Sequence, residues 1–107
     1  MKEIKNYING NLVSYSNDYL SIIDPSTGEN IGKVVNSNNL DFERTISSSE
    51  TAFYSWSKVT PLKRSRILSK YKNNIEKDLE NIAKLVSSEH GKTLDDAKGS
   101  VTRGLEV

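Results

Sequence analysis

The sequence contains no cysteine, one histidine, two prolines and one methionine among 107 residues. Without cysteine there is no disulfide, no thiolate metal site, no iron–sulfur cluster and no sulfur nucleophile. His90 alone cannot build a multi-histidine zinc site. Neither sign of charge dominates: 15 Lys and Arg stand against 14 Asp and Glu. There is thus no basic field to draw nucleic acid and no acidic tail. Long apolar runs are missing too. The stretch Tyr19-Leu20-Ser21-Ile22-Ile23 is far short of a membrane span. Met1-Lys2-Glu3-Ile4-Lys5-Asn6 starts basic but is not followed by the apolar segment of a secretory leader. The expectation is a cytoplasmic chain with no membrane and no nucleic-acid partner. Apolar residues reach 35%, below the usual share of about 45–50%, and 15 Ser with 11 Asn fill the gap. A chain of this length is one domain at most, and it buries only about 60–65% of its unfolded surface, so its stability is marginal.

What is present falls into two regimes of periodicity. Tyr7-Ile8 and Leu12-Val13 flank Asn9-Gly10, the strongest short hairpin signal because both residues tolerate positive φ. Tyr19–Ile23 reads as a further strand, closed by the turn Asp24-Pro25-Ser26-Thr27-Gly28. Ile31 to Val35 reads as another short strand. From Asn38 the period becomes helical. Asn38 is an N-cap with Asp41 in the capping-box position, and Phe42, Ile46, Ser49, Phe53 and Trp56 line one face. Trp56 with Phe53 reads as core. Thr60-Pro61 opens a new helix. Its apolar face, Leu68, Tyr71, Ile75, Leu79, Ile82 and Val86, runs to about His90, with a break allowed near Lys77-Asp78. Gly91 ends it as a left-handed cap. Thr93 caps a last helix, in which Leu94, Ala97, Val101 and Leu105 form a narrow stripe. No stop signal follows Leu105, so that stripe is expected to rest on a partner surface. The fold class expected is α+β: an N-terminal β-hairpin and short strands followed by three or four helices. Residues 1–36 form the strand part and 37–107 the helical part.

Few residues invite chemistry. His90 beside Glu89 could suggest acid–base work, but a histidine in a last helical turn is favoured by the helix dipole alone. Gly91-Lys92-Thr93 resembles the end of a phosphate loop, yet the earlier glycine position holds Val86 and the preceding segment is helical, which excludes one. Lys63, Arg64 and Arg66 cluster at a helix start, without the interleaved aromatics of a nucleic-acid face, and fit a solvated or salt-bridging face. Asp95 and Asp96 are first-turn acids. No catalytic residue, metal ligand or cofactor-binding residue is assigned to this chain. Arg103 differs: it lies at the edge of the last apolar stripe beside Gly104, where a guanidinium can meet a carboxylate bidentately.

Taken in order, these segments resemble the start of the aldehyde dehydrogenase superfamily. The resemblance rests on Asn6-Tyr7-Ile8-Asn9-Gly10, on Asp24-Pro25-Ser26-Thr27-Gly28-Glu29 followed by Ile31-Gly32-Lys33-Val34, on Ala52-Phe53 with Trp56, and on Arg64 with Arg66-Ile67-Leu68. Leu79-Glu80-Asn81-Ile82-Ala83 and the corner Glu89-His90-Gly91-Lys92-Thr93 continue it. The extension from Leu94 to Val107, with Ala97, Gly99, Val101, Arg103 and Gly104, is similar to the CoA-acylating malonate/methylmalonate-semialdehyde dehydrogenase branch. Asp24 stands where Asn is common in the family, and Ser100 where the branch often carries an acid. The resemblance implies an N-terminal segment of the α/β aldehyde dehydrogenase fold, in its cofactor-domain region. It also implies NAD as cofactor, CoA as co-substrate, the remainder of the enzyme polypeptide as partner, and a homo-oligomer. It matches Arg103 to the arginine that holds the substrate carboxylate, and the backbone near Ile22, Ile23 and Glu89 to a monovalent-cation site of some members. The family's catalytic cysteine and glutamate would lie outside this chain, so the segment alone should be inactive. The alternative is a non-catalytic α+β module that docks through its last helix.

Overall fold

The computed structural model describes all 107 residues. They form two compact units: Met1–Ile23 with Asn30–Val59, and Asp24–Glu29 with Thr60–Val107.

The first unit holds β1 (Lys2–Ile4), β2 (Asn6–Ile8), β3 (Asn11–Val13), β4 (Tyr19–Ile23), β5 (Asn30–Val35) and α1 (Asn39–Trp56). β2 and β3 form the expected hairpin, pairing Ile8 with Asn11 and Asn6 with Val13. Asn9 and Gly10 supply the turn with φ of 50° and 78°, the positive pair a type I′ connection needs. β4 runs antiparallel to β5, and β5 is the centre of a three-stranded sheet in the order β1-β5-β4. β1, which no sequence signal marked, pairs in parallel with β5, Lys2 opposite Gly32 and Ile4 opposite Val34. A Cβ on Gly32 would stand 2.7 Å from the Lys2 carbonyl oxygen, so β1 can come this close only to a glycine.

α1 begins as expected and then departs from expectation. Asn38 and Asp41 close a reciprocal capping box: the Asp41 N–H donates to Asn38 Oδ1 and the Asn38 N–H to Asp41 Oδ2, both at 3.0 Å. The same carboxylate also accepts from the backbone N–H of Tyr15 at 2.8 Å and of Ser16 at 3.2 Å. Asp41 is 2% exposed. These donors, the Tyr15 amide foremost, hold its carboxyl below the ordinary carboxylate value. The apolar stripe behind it is not core. Phe53 is 65% exposed and Trp56 41%, and Phe42 and Ile46 are also open. The reason is that α1 is tied to its unit through the polar clamp at its first turn, while no element of that unit covers the stripe.

The second unit holds α2 (Pro61–Lys77), α3 (Leu79–His90), α4 (Leu94–Glu106) and the 24–29 turn. Thr60 caps α2 by accepting from the Lys63 N–H at 3.3 Å, with Pro61 at the first helical position. The allowed break is real: Asp78 leaves helical geometry (φ −105°, ψ 13°) and separates α2 from α3. Asp24 organises the turn, its carboxylate accepting from the Ser26 N–H at 2.8 Å and its carbonyl from the Gly28 N–H at 2.7 Å. α3 and α4 approach through alanines. Ala83 and Ala97 are both fully buried, so the stripe of the last helix, expected to be open for a partner, is already covered at Ala97. No helix is long and apolar enough to cross a membrane.

Candidate functional site

The corner between α3 and α4 is built from local rules. Gly91 takes φ of 81° and its N–H returns to the Ser87 carbonyl at 2.8 Å, ending α3. Ser87 Oγ donates to the Lys92 carbonyl at 2.6 Å, fixing the three-residue link. Thr93 then accepts from the Asp96 N–H at 3.2 Å and starts α4. The side of Gly91 is closed by the 24–29 turn, since a Cβ there would lie 2.8 Å from Pro25 Cγ. Lys98 Nζ meets Glu80 Oε2 at 2.9 Å, an ion pair that ties α4 to α3 and lowers the Glu80 carboxyl through Lys98 first.

Arg103 lies one turn from the end of α4 and is exposed. Its Nη2 donates to Ser100 Oγ at 3.4 Å, one helical turn back. Lys92 Nζ donates to the same hydroxyl at 3.1 Å, from the corner. Two cationic heads therefore converge on one neutral oxygen. The sequence signalled Arg103 but not its company. The Ser100–Arg103 spacing of three was visible as a helical neighbour pair, whereas the reach of Lys92 across the corner depends on how α3 meets α4.

The other candidates stay apart from this group or serve structure. Glu89 and His90 occupy the exposed last turn of α3, where the helix dipole favours a histidine. Lys63, Arg64 and Arg66 stand in the first two turns of α2; Arg64 is half-buried, and its Nε is buried with no hydrogen-bond partner. Asp95 and Asp96 are exposed first-turn acids of α4. Ile22 and Ile23 carry the register shift of β4, and Glu89 belongs to α3. No three His, Asp or Glu side chains gather as a metal-binding group. The residue most strongly signalled by its surroundings, Asp41, has its carboxylate filled with backbone donors and is an anchor.

Comparison with known proteins gives a consistent result. The model of the aldehyde dehydrogenase family matches residues 12–107. Malonate-semialdehyde dehydrogenase 1 of Shouchella clausii is 39% identical over 107 residues, covering 99% of this chain and 22% of its own length. The human mitochondrial acylating methylmalonate-semialdehyde/malonate-semialdehyde dehydrogenase is 39% identical over 105 residues, covering 97% of this chain and 20% of its own. A crystal structure described as a methylmalonate-semialdehyde dehydrogenase of Sinorhizobium meliloti 1021 complexed with NAD superposes with a TM-score of 0.96 at 34% identity, over 99% of this chain and 22% of that one. The methylmalonate-semialdehyde dehydrogenase of Oceanimonas doudoroffii gives 0.95, also at 34% identity, with the same coverage. The chain thus spans about a fifth of the length of these relatives.

Proposed function

The chain belongs to the aldehyde dehydrogenase family, and from that premise we propose that it is the N-terminal segment of an NAD-dependent, CoA-acylating malonate- or methylmalonate-semialdehyde dehydrogenase. In that enzyme a semialdehyde is oxidised to an acyl-CoA. The observation that carries the reading is the superposition at TM-score 0.96 over a segment that makes up 22% of its relative. One feature of the second unit favours incompleteness on independent grounds: Arg64 Nε is a buried donor for which these residues supply no acceptor.

The role of this segment is scaffold plus one substrate contact. Arg103 is always charged and offers paired N–H donors, so it recognises the carboxylate end of a semialdehyde while the aldehyde end points elsewhere. The residues do not fit NAD. Gly91-Lys92-Thr93 is a helix cap followed by a helix start, Pro25 fills the space beside Gly91, and no strand feeds a glycine-rich phosphate cradle. With no cysteine, the chain also lacks the nucleophile for a thioester step. Cofactor and catalytic groups belong to the remainder of the polypeptide. The whole enzyme is a cytoplasmic homo-oligomer in this reading.

Two experiments test it. The purified chain, given malonate semialdehyde, NAD and CoA, yields no aldehyde-dependent NADH; activity that survives dialysis would overturn the assignment. A chimera in which this chain replaces the matching segment of the Shouchella clausii enzyme forms NADH in a CoA-dependent way. In that chimera Arg103→Leu raises KM for malonate semialdehyde about ten- to a hundredfold, the loss of a charged hydrogen-bonded contact, and leaves propionaldehyde nearly unchanged. Equal loss for both aldehydes would reduce Arg103 to a structural residue.

A further inference from the structure

Lys92 and Arg103 lie eleven positions apart, yet the corner at Gly91 brings both heads onto Ser100 Oγ, at 3.1 and 3.4 Å. Like charges held within two hydrogen-bond lengths of each other raise the local positive potential. Elsewhere on α4 the chain matches a cation with an acid, Lys98 with Glu80; here it matches two cations with a neutral hydroxyl. A serine oxygen has two acceptor sites and one O–H. With both acceptor sites given to Lys92 and Arg103, the hydroxyl hydrogen is left as a third donor. Arg103 spends one N–H on Ser100 and keeps four. The group is therefore rich in donors and has no acceptor of its own to spare, the complement of an anion. Ser100 and Lys92 are half-buried and Arg103 is exposed, so an anion can approach from the Arg103 side and is partly shielded from water once there.

We infer that Lys92, Ser100 and Arg103 form one carboxylate-binding subsite, in which Ser100 positions the two cations and Lys92 supplies the second charge. The inference rests on the proposed role of Arg103 and extends it: the ligand class is a small carboxylate, with dicarboxylates preferred because one end can lie on Arg103 and the other on Lys92. Arg103 contacts the ligand; Ser100 acts through it and is a positioning residue.

The test is titration of the isotopically labelled 107-residue chain with sodium malonate, followed by nuclear magnetic resonance at Lys92 Nζ and Arg103 Nε, with the amides of Ala83 and Ala97 as monitors of the α3–α4 packing. Sodium acetate and sodium chloride at equal ionic strength are the references. Both cationic signals should move along one saturating curve with malonate, with an affinity at least threefold above that for acetate and no saturation with chloride. Ser100→Ala should weaken malonate at least threefold while the Ala83 and Ala97 signals hold, and Ser100→Thr, which keeps the hydroxyl, should restore it. Movement of Arg103 alone would overturn the shared subsite and leave the Arg103 reading standing. Movement of neither would overturn both. Equal responses to malonate and chloride would mean screening and overturn the subsite.

Discussion

Replacing Gly91 by alanine and Gly99 by alanine should change stability in opposite directions, although the two glycines lie eight residues apart and flank the same corner. Gly91 has φ of 81°, where an L side chain costs about 1–2 kcal/mol. Its new Cβ would also meet Pro25 Cγ at 2.8 Å, closer than carbon atoms pack, so the proline ring must shift. Against this, alanine lowers the freedom of the unfolded chain by about 0.4–1 kcal/mol. The net cost of Gly91→Ala is about 1–3 kcal/mol. Gly99 lies inside α4, and a Cβ there meets nothing within 4 Å. Helix interiors prefer alanine to glycine by about 0.5–1 kcal/mol, so Gly99→Ala is stabilising by that amount. In urea, with a slope of roughly 1–3 kcal/mol per molar for small proteins, the two midpoints should differ by about 1 M. Far-ultraviolet circular dichroism reads the transition. Pro25→Ala removes Cγ, so in that background Gly91→Ala should lose the clash part of its cost and keep the backbone part. A neutral or stabilising Gly91→Ala would refute the left-handed cap; an unchanged cost in the Pro25→Ala background would refute the contact with the turn.

Three further outcomes follow from features described above. Asp41 and Glu3 both have carboxyls held below their ordinary values, Asp41 by the Tyr15 amide first and Glu3 by the Tyr19 hydroxyl first and then Lys33. A depressed folded-state pKa gives stability that is present above the unfolded value and lost as pH falls through the folded one. Unfolding midpoints should therefore hold at neutral pH and drop below the ordinary values of 3.8 for Asp41 and 4.5 for Glu3. Asp41→Asn should lower stability at pH 7 and flatten that acid limb; an unchanged limb would mean the clamp contributes nothing to it. Ala97→Leu forces three extra carbons into a position with no exposure and should cost about 1–3 kcal/mol or more by overpacking, read by the same urea curves. Gly32→Ala should selectively release β1, because its Cβ would strike the Lys2 carbonyl; faster amide hydrogen exchange at Ile4 with protection kept in β4 is the expected pattern, and uniform protection would contradict it.

What could be read from the sequence was whatever is written in neighbouring residues. Asn9-Gly10 announced its hairpin, Asn38 with Asp41 its capping box, Thr60-Pro61 and Thr93 their helix starts, and Gly91 its left-handed cap, because each is decided within a few positions. β1 was not legible: three residues, Lys2-Glu3-Ile4, carry no period, and their pairing with β5 spans about thirty positions of chain. Nor was the fate of the α1 stripe. Helical spacing says that Phe42, Ile46, Phe53 and Trp56 share a face, but only neighbouring elements decide what that face meets, and in its unit none covers it. The candidate site divides in the same way. Arg103 could be singled out by type and position, while its sharing of Ser100 with Lys92 is a product of tertiary geometry. The second and third donors on Asp41, Tyr15 and Ser16, lie about 25 positions away and left no trace in the pattern around it.

The open stripe on α1 also has a timetable. In the proposed reading of this chain as an N-terminal segment, and at its 22% share of a relative's length, nearly 400 residues emerge after it. At synthesis rates of about 5–20 residues per second, Phe42, Phe53 and Trp56 would stay uncovered for roughly 20–80 seconds before later segments arrive. A nascent chain carrying such a stripe is a natural client for ribosome-associated chaperones, and halting translation near Val107 should leave it bound to them.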